Sequence, residues 1–103
     1  MAVINLTKSN FDAEVLNSDK VVLVDFWVAW CAPCRMLSPI VDQVAEELTD
    51  IKVAKVNIDD EQDLALQYNV MSIPTLLVFK GGQLVKRSVG VISKNDIKEL
   101  VLV

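Results

Sequence analysis

The sequence has no histidine, and this absence removes several classes of chemistry at once. Ser-His-Asp and Cys-His nucleophiles need an imidazole, and so do the common zinc sites. Most hydrolases are therefore excluded. Glycine and proline are also scarce, at three residues each in 103, and nothing in the sequence indicates a linker or a low-complexity tract. We therefore expect a single domain over residues 1–103.

Basic residues are few, with ten Lys and Arg against fourteen Asp and Glu and a net charge of −4. Nucleic-acid binding rests on clustered Lys and Arg, so we expect no nucleic-acid partner. The longest apolar run, 21–30, is interrupted by Asp25 and is far shorter than the roughly 20 residues that a membrane helix needs. Residues 1–20 contain no apolar stretch that would serve as a secretory signal. These features favour a cytoplasmic protein without a membrane partner. We also expect a monomer, which these features do not determine.

Cysteine is limited to two residues, too few for the disulfide framework of a small secreted domain. In a reducing compartment a close pair is more often catalytic or metal-binding than structural. What the chain does have is 52% hydrophobic residues, enough to fill the core of one domain.

Apolar periodicity predicts alternating strands and helices. The predicted strands are residues 3–6, 21–29, 51–58, 75–79 and 84–89. Four helices are predicted. The first follows a cap at Thr7, and the second runs from Cys34 to about Thr49. The third follows a cap at Asp59 or Asp60 and ends at Tyr68, and the fourth follows a capping box formed by Ser93 and Asp96. Two glycines between the last two strands predict an antiparallel hairpin. The order βαβαβαββα predicts an α/β fold, a three-layer sandwich with a central mixed sheet.

The two cysteines lie in the segment Trp30-Cys31-Ala32-Pro33-Cys34, where the predicted strand 21–29 ends and the helix predicted from Cys34 begins. Residues i and i+3 share one face of a first helical turn, so the two sulfur atoms can form and break a disulfide with little backbone movement. A free cysteine is only ~3% thiolate at pH 7, and unpaired N–H groups at a helix start favour the thiolate of Cys31. Pro33 stiffens the spacer.

Three other interpretations of the pair stay open at this point. A purely structural disulfide would close a loop of about four residues and stabilise the fold by only roughly 2 kcal/mol. A zinc site would need two further ligands from carboxylates or a second chain, so we expect no metal. Two unreactive free thiols fit poorly with a position at a helix start. Redox exchange is the interpretation that the pattern favours.

Asp25 is an acidic residue in the middle of a strand that is otherwise apolar on both faces. Burial there raises the pKa of a carboxyl group, which makes Asp25 a candidate general base for Cys34. The alternative is a residue at the end of a strand that reaches water. Lys55 on the next predicted strand is a candidate ion-pair partner for Asp25, and an ordinary solvated lysine is nearly as good an interpretation.

Ser72-Ile73-Pro74-Thr75 precedes the strand at 75–79, and a proline in a sheet is confined to a first residue or an edge. The neighbouring Met71 and Ile73 have two possible roles. Core packing is the more frequent role for such residues, and recognition of a partner is the alternative.

Several segments in this order and spacing resemble the thioredoxin family over nearly the whole chain. They are VDFW at 24–27, WCAPC at 30–34, Pro39, VAKVNID at 53–59, IPT at 73–75 and Gly90. The resemblance implies a thioredoxin fold, a cis peptide before Pro74, and a protein-disulfide reductase that needs no bound cofactor. It further implies disulfide-containing substrate proteins and an NADPH-dependent thioredoxin reductase as partners.

The resemblance also implies roles for individual residues. Cys31 would attack the substrate disulfide and Cys34 would complete the exchange, while Asp25 and Lys55 would assist proton transfer. The apolar rim that would contact the substrate consists of Trp30, Met71, Ile73, Pro74, Gly90 and Val91. Ala32 stands where the family usually has Gly, and with Pro33 it is expected to tune the geometry and redox potential of the pair.

Two alternatives to disulfide reduction remain. A folding oxidant or isomerase would use the same chemistry, but the absence of a signal sequence and of a His between the cysteines disfavours it. A non-catalytic binding module would use the apolar rim whether or not the thiols react.

Overall fold

In the computed structural model, which describes residues 3–103, five strands pair into one mixed sheet. The strands are β1 (Val3–Asn5), β2 (Val22–Trp27), β3 (Lys52–Asn57), β4 (Thr75–Lys80) and β5 (Gln83–Val89). Their order is β1-β3-β2-β4-β5, with β1, β3 and β2 parallel and with β4 and β5 each antiparallel to its neighbour. The predicted mixed sheet is confirmed. Met1 and Ala2, the first residues of the expected domain, lie outside the described residues.

Helices cover both faces of this sheet, as a three-layer sandwich requires. They are a short π-helix (Asp12–Leu16), α1 (Ala32–Glu47), α2 (Gln62–Gln67) and α3 (Lys94–Leu100). One core joins the π-helix and α2 to the sheet through residues such as Val15, Leu64 and Phe79. The other core joins α1 and α3 to the opposite face through residues such as Leu37 and Ile97. No helix within residues 3–103 is both long and apolar enough to cross a membrane.

Strand β2 contributes to both cores because successive side chains point to opposite faces of a sheet. Val24 and Phe26 belong to the core under the π-helix and α2, while Leu23 belongs to the core under α1 and α3. This double burial explains the nearly continuous apolar run. It also places Asp25, two residues after Leu23, on the face that α1 covers.

The predicted hairpin between β4 and β5 is confirmed, with Lys80 paired to Gln83 across a two-residue turn. Gly81 and Gly82 both have positive φ, at 59° and 77°, and residues other than glycine rarely adopt such values. Gly82 also lies against the carbonyl oxygen of Leu16, which would be only 2.7 Å from an added Cβ. The turn therefore needs its second glycine for space as well as for conformation.

Two predicted helix caps are wrong. The Thr7 hydroxyl contacts Ser9 rather than a helix, and the helix that follows is the π-helix, which begins after Phe11 with no side-chain cap. Neither Asp59 nor Asp60 caps α2, which follows Glu61 without a side-chain cap. The Asp59 carboxylate instead accepts a hydrogen bond from an indole 29 residues away in sequence.

The ends of the other helices are close to the prediction. Helix α1 begins at Ala32, two residues before the predicted start, and ends at Glu47. The capping box of α3 is confirmed: Ser93 Oγ accepts from the Asp96 N–H at 3.1 Å, and the Asp96 carboxylate accepts from the Ser93 N–H at 3.4 Å.

Candidate active site

Cys31 and Cys34 form a disulfide at the N-terminus of α1, with 5.2 Å between their Cα atoms. Cys31 is the N-cap residue of α1, in an extended backbone conformation, and Cys34 lies in the first helical turn. The sequence predicted this juxtaposition from the i, i+3 spacing. Because the two cysteines are bonded, the interpretation as two unreactive free thiols is wrong.

The Cys31 sulfur occupies the position at which a polar side chain caps other helices. It accepts a hydrogen bond from the backbone N–H of Cys34 at 3.2 Å. This N–H is one of the donors that a helix start leaves unpaired, and such donors stabilise negative charge. The sequence predicted that N–H groups at the helix start would act on the Cys31 sulfur, and in this disulfide form the Cys34 N–H does so.

Exposure separates the two sulfur-bearing residues. Cys31 is 8% exposed and Cys34 only 2%, so Cys31 is the one that a partner can reach first. Both pack against Val28, with Ile58 and Ile73 beside them. No group of three potential metal ligands from His, Cys, Asp or Glu occurs within residues 3–103, so a zinc site has no set of ligands in this part of the chain.

The two residues between the cysteines, Ala32 and Pro33, form the exposed first positions of α1. A proline at the start of a helix lacks only an N–H that would be unpaired anyway. Arg35, which follows Cys34, extends its guanidinium back to the carbonyl oxygen of Ala29 at 3.0 Å. This hydrogen bond connects the chain before Cys31 to the first turn of α1, beyond Cys34.

An apolar surface adjoins the disulfide. Trp30 is 71% exposed, and its indole N–H donates to Asp59 Oδ2 at 3.0 Å. Met71 is 86% exposed, so the interpretation of Met71 as a core residue is wrong. Val91 is exposed as well, whereas Ile73 is partly buried against the cysteines.

Pro74 and Gly90 connect this surface to the sheet. The Ile73–Pro74 peptide is cis, as the resemblance implied, and Pro74 is buried. The Gly90 N–H donates to the Pro74 carbonyl oxygen at 2.8 Å. Ile73 and Pro74 are thereby held beside the loop that contains Gly90 and Val91.

Asp25 is buried, with 1% of its surface exposed, so it is not a strand-end residue that reaches water. Neither of its carboxyl oxygens has a hydrogen-bond partner among the described residues. Burial raises the pKa of Asp25 from 3.8 to about 7, while the charge of Lys55 lowers it and that of Asp42 raises it. The expected direction of the shift is confirmed.

Lys55 is directly opposite Asp25 in the pairing of β2 with β3, yet it does not form an ion pair with it. Its Nζ lies 2.9 Å from Asp42 Oδ1 and 2.6 Å from Ser38 Oγ, both on α1. The predicted partner is therefore wrong. Sheet register brings two Cα atoms together, but a lysine stem is long enough to turn its ammonium group toward a helix.

Sequence reasoning missed three polar residues at this site: Ser38, Asp42 and Asp59. Ser38 and Asp42 follow Cys34 by four and eight residues, which places all three along one side of α1. That spacing was visible in the sequence. Nothing in it indicated Asp59, because its contact with Trp30 depends on how the loop after β3 folds.

A redox-active Cys-x-x-Cys pair at the junction of a central strand and a helix defines a thiol-disulfide oxidoreductase. Comparison with known proteins agrees with this class. The family model described as Thioredoxin matches residues 2–102. The chain belongs to the thioredoxin family, and its Cys31–Cys34 pair makes it a protein-disulfide reductase.

Curated relatives match the chain over almost its full length. It is 50% identical over 99 residues to thioredoxin 1 of Nostoc sp. and 48% identical over 99 residues to the thioredoxin of Porphyra purpurea; each match covers 95% of this chain and 92% of the relative. It is 45% identical over 102 residues to the thioredoxin of Bacillus subtilis, with 98% of this chain and 96% of the relative covered.

Proposed function

We propose that the protein reduces disulfides in substrate proteins through Cys31 and Cys34, and that an NADPH-dependent thioredoxin reductase restores its dithiol. The observation that carries this proposal is the Cys31–Cys34 disulfide at the N-terminus of α1, with the Cys31 sulfur accepting the Cys34 N–H. The same donor, together with the helix start, stabilises the thiolate that begins a new cycle.

The exchange takes place in two steps. The Cys31 thiolate attacks one sulfur of the substrate disulfide; a bond forms between them, the substrate S–S bond breaks, and the other substrate sulfur leaves as a thiolate. The Cys34 thiol then loses its proton and attacks Cys31, which forms the internal disulfide and releases the second substrate thiolate. The substrate gains two electrons and the dithiol loses them. The lower exposure of Cys34 supports its assignment to the second step.

Asp25 accepts the proton of Cys34 in the second step, directly or through water. Lys55 assists by its positive charge, which lowers the pKa of that carboxyl group. A general base works best when its pKa lies near the working pH, and burial raises the pKa of Asp25 to about 7. Its oxygens have no protein partner among the described residues that would compete for the proton. The side of β2 that carries Asp25 is covered by α1, the helix that begins at the disulfide.

Substrate polypeptide binds across the apolar surface beside Cys31. The exposed side chains of Trp30, Met71 and Val91 supply contact area that exchanges water for apolar partners. Ile73 and Pro74 form its inner border, and Gly90 leaves space close to the backbone. No atom of residues 3–103 lies within 4 Å of a Cβ built at Gly90, apart from the neighbouring residues of the chain, so a strand of substrate can approach there.

The test is the reduction of a disulfide-bonded protein with NADPH and a thioredoxin reductase present, followed through the loss of NADPH absorbance. We expect turnover that disappears in Cys31→Ser and in Cys34→Ser. Loss of NADPH only when glutathione together with glutathione reductase replaces the thioredoxin reductase would reject the proposed electron donor. Equilibration with oxidised and reduced glutathione separates a reductase from a folding oxidant, because an oxidant would be found largely reduced.

A cellular test separates catalysis from simple docking. Replacing both Cys31 and Cys34 with Ser should abolish the role of the protein if exchange is its function, and should spare that role if the apolar surface alone matters. The cytoplasmic location and the monomeric state stay predictions. Cell fractionation and sedimentation are the measurements that check them.

A further inference from the structure

The ammonium group of Lys55 is held by the helix that carries the cysteines. Its Nζ donates to Ser38 Oγ at 2.6 Å and forms an ion pair with Asp42 at 2.9 Å. Ser38 lies one helical turn after Cys34, and Asp42 lies one turn after Ser38. Because the Lys55 side chain is only 13% exposed, these contacts replace much of the water that would otherwise surround its charge.

The acceptor that Lys55 does not use is Asp25. The two residues are paired in register on β2 and β3, and successive members of their face, Leu23 and Val53, pack in the same core. A lysine stem can reach a carboxyl group across neighbouring strands. Yet both Asp25 oxygens are buried without a partner among the described residues, which is costly for a polar group.

We propose that Ser38 and Asp42 are positioning residues that hold the Lys55 ammonium group against α1. Held there, Lys55 does not form an ion pair with Asp25, and the buried carboxyl group stays free to exchange a proton. The inference rests on the proposed role of Asp25 as the base for Cys34.

The chemical reason is the match between a base and its working pH. An opposite charge in direct contact lowers the pKa of a carboxyl group by about one to three pH units, which would turn Asp25 into a poor proton acceptor near neutral pH. With Lys55 held on α1, burial is the dominant influence and the pKa of Asp25 is about 7.

The charged groups that act on Asp25 come from two of the elements around it. Lys55 on β3 lowers its pKa, and Asp42 on α1 raises it. The residue opposite Asp25 on β4 is Leu76, and α3 adds Ile97 to this core, so these two elements bring apolar side chains. Asp42 therefore acts on Asp25 in two ways, through its own charge and through its hold on Lys55.

A double-mutant cycle separates these two effects. The Asp25 carboxyl carbon is titrated by NMR in the oxidised protein, where the disulfide keeps the cysteines from titrating, and Asp42→Asn is compared in chains with Lys55 and with Lys55→Met. We expect Asp42→Asn to lower the titration midpoint by about one pH unit or more when Lys55 is present, and by clearly less in Lys55→Met. Equal changes in both backgrounds would overturn the proposal, since Asp42 would then act only as a charge.

Two further variants test Ser38 without changing any charge. Ser38→Ala should lower the same midpoint, and Ser38→Thr, which keeps the hydroxyl, should restore it; an unchanged midpoint in Ser38→Ala contradicts a positioning role. Glu46→Gln is the matched control, because it removes another exposed carboxylate of α1 and should leave the midpoint where it is. If Asp25→Asn does not slow the second exchange step, the base role fails, while the titrations still decide what holds Lys55.

Discussion

The indole N–H of Trp30 donates to Oδ2 of Asp59 across 3.0 Å, joining the residue before Cys31 to the loop after β3. We expect Asp59→Ala to release the exposed indole and to raise KM for a protein substrate about two- to tenfold, the equivalent of one ordinary hydrogen bond, with little change in kcat. Asp59→Asn keeps an acceptor oxygen and serves as the control. A larger change in kcat than in KM would contradict the role in binding.

The difference in exposure between the two cysteines predicts which variant accumulates covalent complexes. Cys34→Ser removes the group that breaks the mixed disulfide, so we expect substrates to stay bonded to Cys31 and to migrate as complexes on non-reducing gels. Cys31→Ser leaves only the more buried Cys34 and should yield few complexes. Comparable yields from both variants would mean that either sulfur can attack.

The strands of the core were predictable because the sheet is covered on both faces. Continuous apolar residues in β2 and β4 have no other stable location than the interior of a sandwich, and their pattern is local. The wrong cap at Thr7 reflects a local choice, because its hydroxyl contacts Ser9. The cap of α2 was not predictable, because the residues before this helix have distant partners. The Glu61 carboxylate accepts the backbone N–H of Lys8, 53 residues away, and Asp59 is committed to Trp30.

The same distinction applies to the site. Cys31, Cys34 and Asp25 stand out within their own segments, as a close pair at a helix start and as a carboxyl group in an apolar strand. The partner of Lys55 depends on how α1 packs over β3, so the sequence could indicate only which residues are neighbours in the sheet. Which residue of a helix contacts which residue of a strand depends on how the core packs. Local sequence patterns carry no information about that packing.

The hairpin offers a matched pair of glycine substitutions. In Gly81→Ala the added methyl group meets open space, so the cost is that of a left-handed backbone for alanine, roughly 1–2 kcal/mol. Gly82→Ala adds a close contact with the Leu16 carbonyl oxygen and should lose about 1–3 kcal/mol more. Urea unfolding of both variants measures the difference. Equal losses would show that the π-helix moves away without cost.

Glu47 links α1 to α3 through hydrogen bonds from Lys94 and Lys98, which lower its pKa from 4.5 to about 2. A carboxyl group whose pKa is lower in the folded state stabilises the fold above its unfolded pKa, and the contribution disappears as pH falls from about 4.5 to 2. We expect urea unfolding to show that Glu47→Gln has a lower free energy of unfolding than the parent at pH 7 and low salt. This difference in free energy should become smaller at 1 M salt. Glu46→Gln, on the same helix, should show no such gap.

Asp25 should make the protein less stable as pH rises. Its pKa in the folded state, about 7, exceeds the ordinary value of 3.8, so between these values the folded chain binds more protons than the unfolded chain. Stability then falls through this window by up to about 4 kcal/mol, and the loss is complete above pH 7. Asp25→Asn removes this dependence. Unfolding by urea at several pH values, in the oxidised form, should therefore show that the free energy of unfolding of the variant rises relative to that of the parent between pH 4 and pH 7. Exposed Asp50→Asn is the control; a difference between Asp25→Asn and the parent that does not change with pH would contradict the burial of an ionisable group at this position.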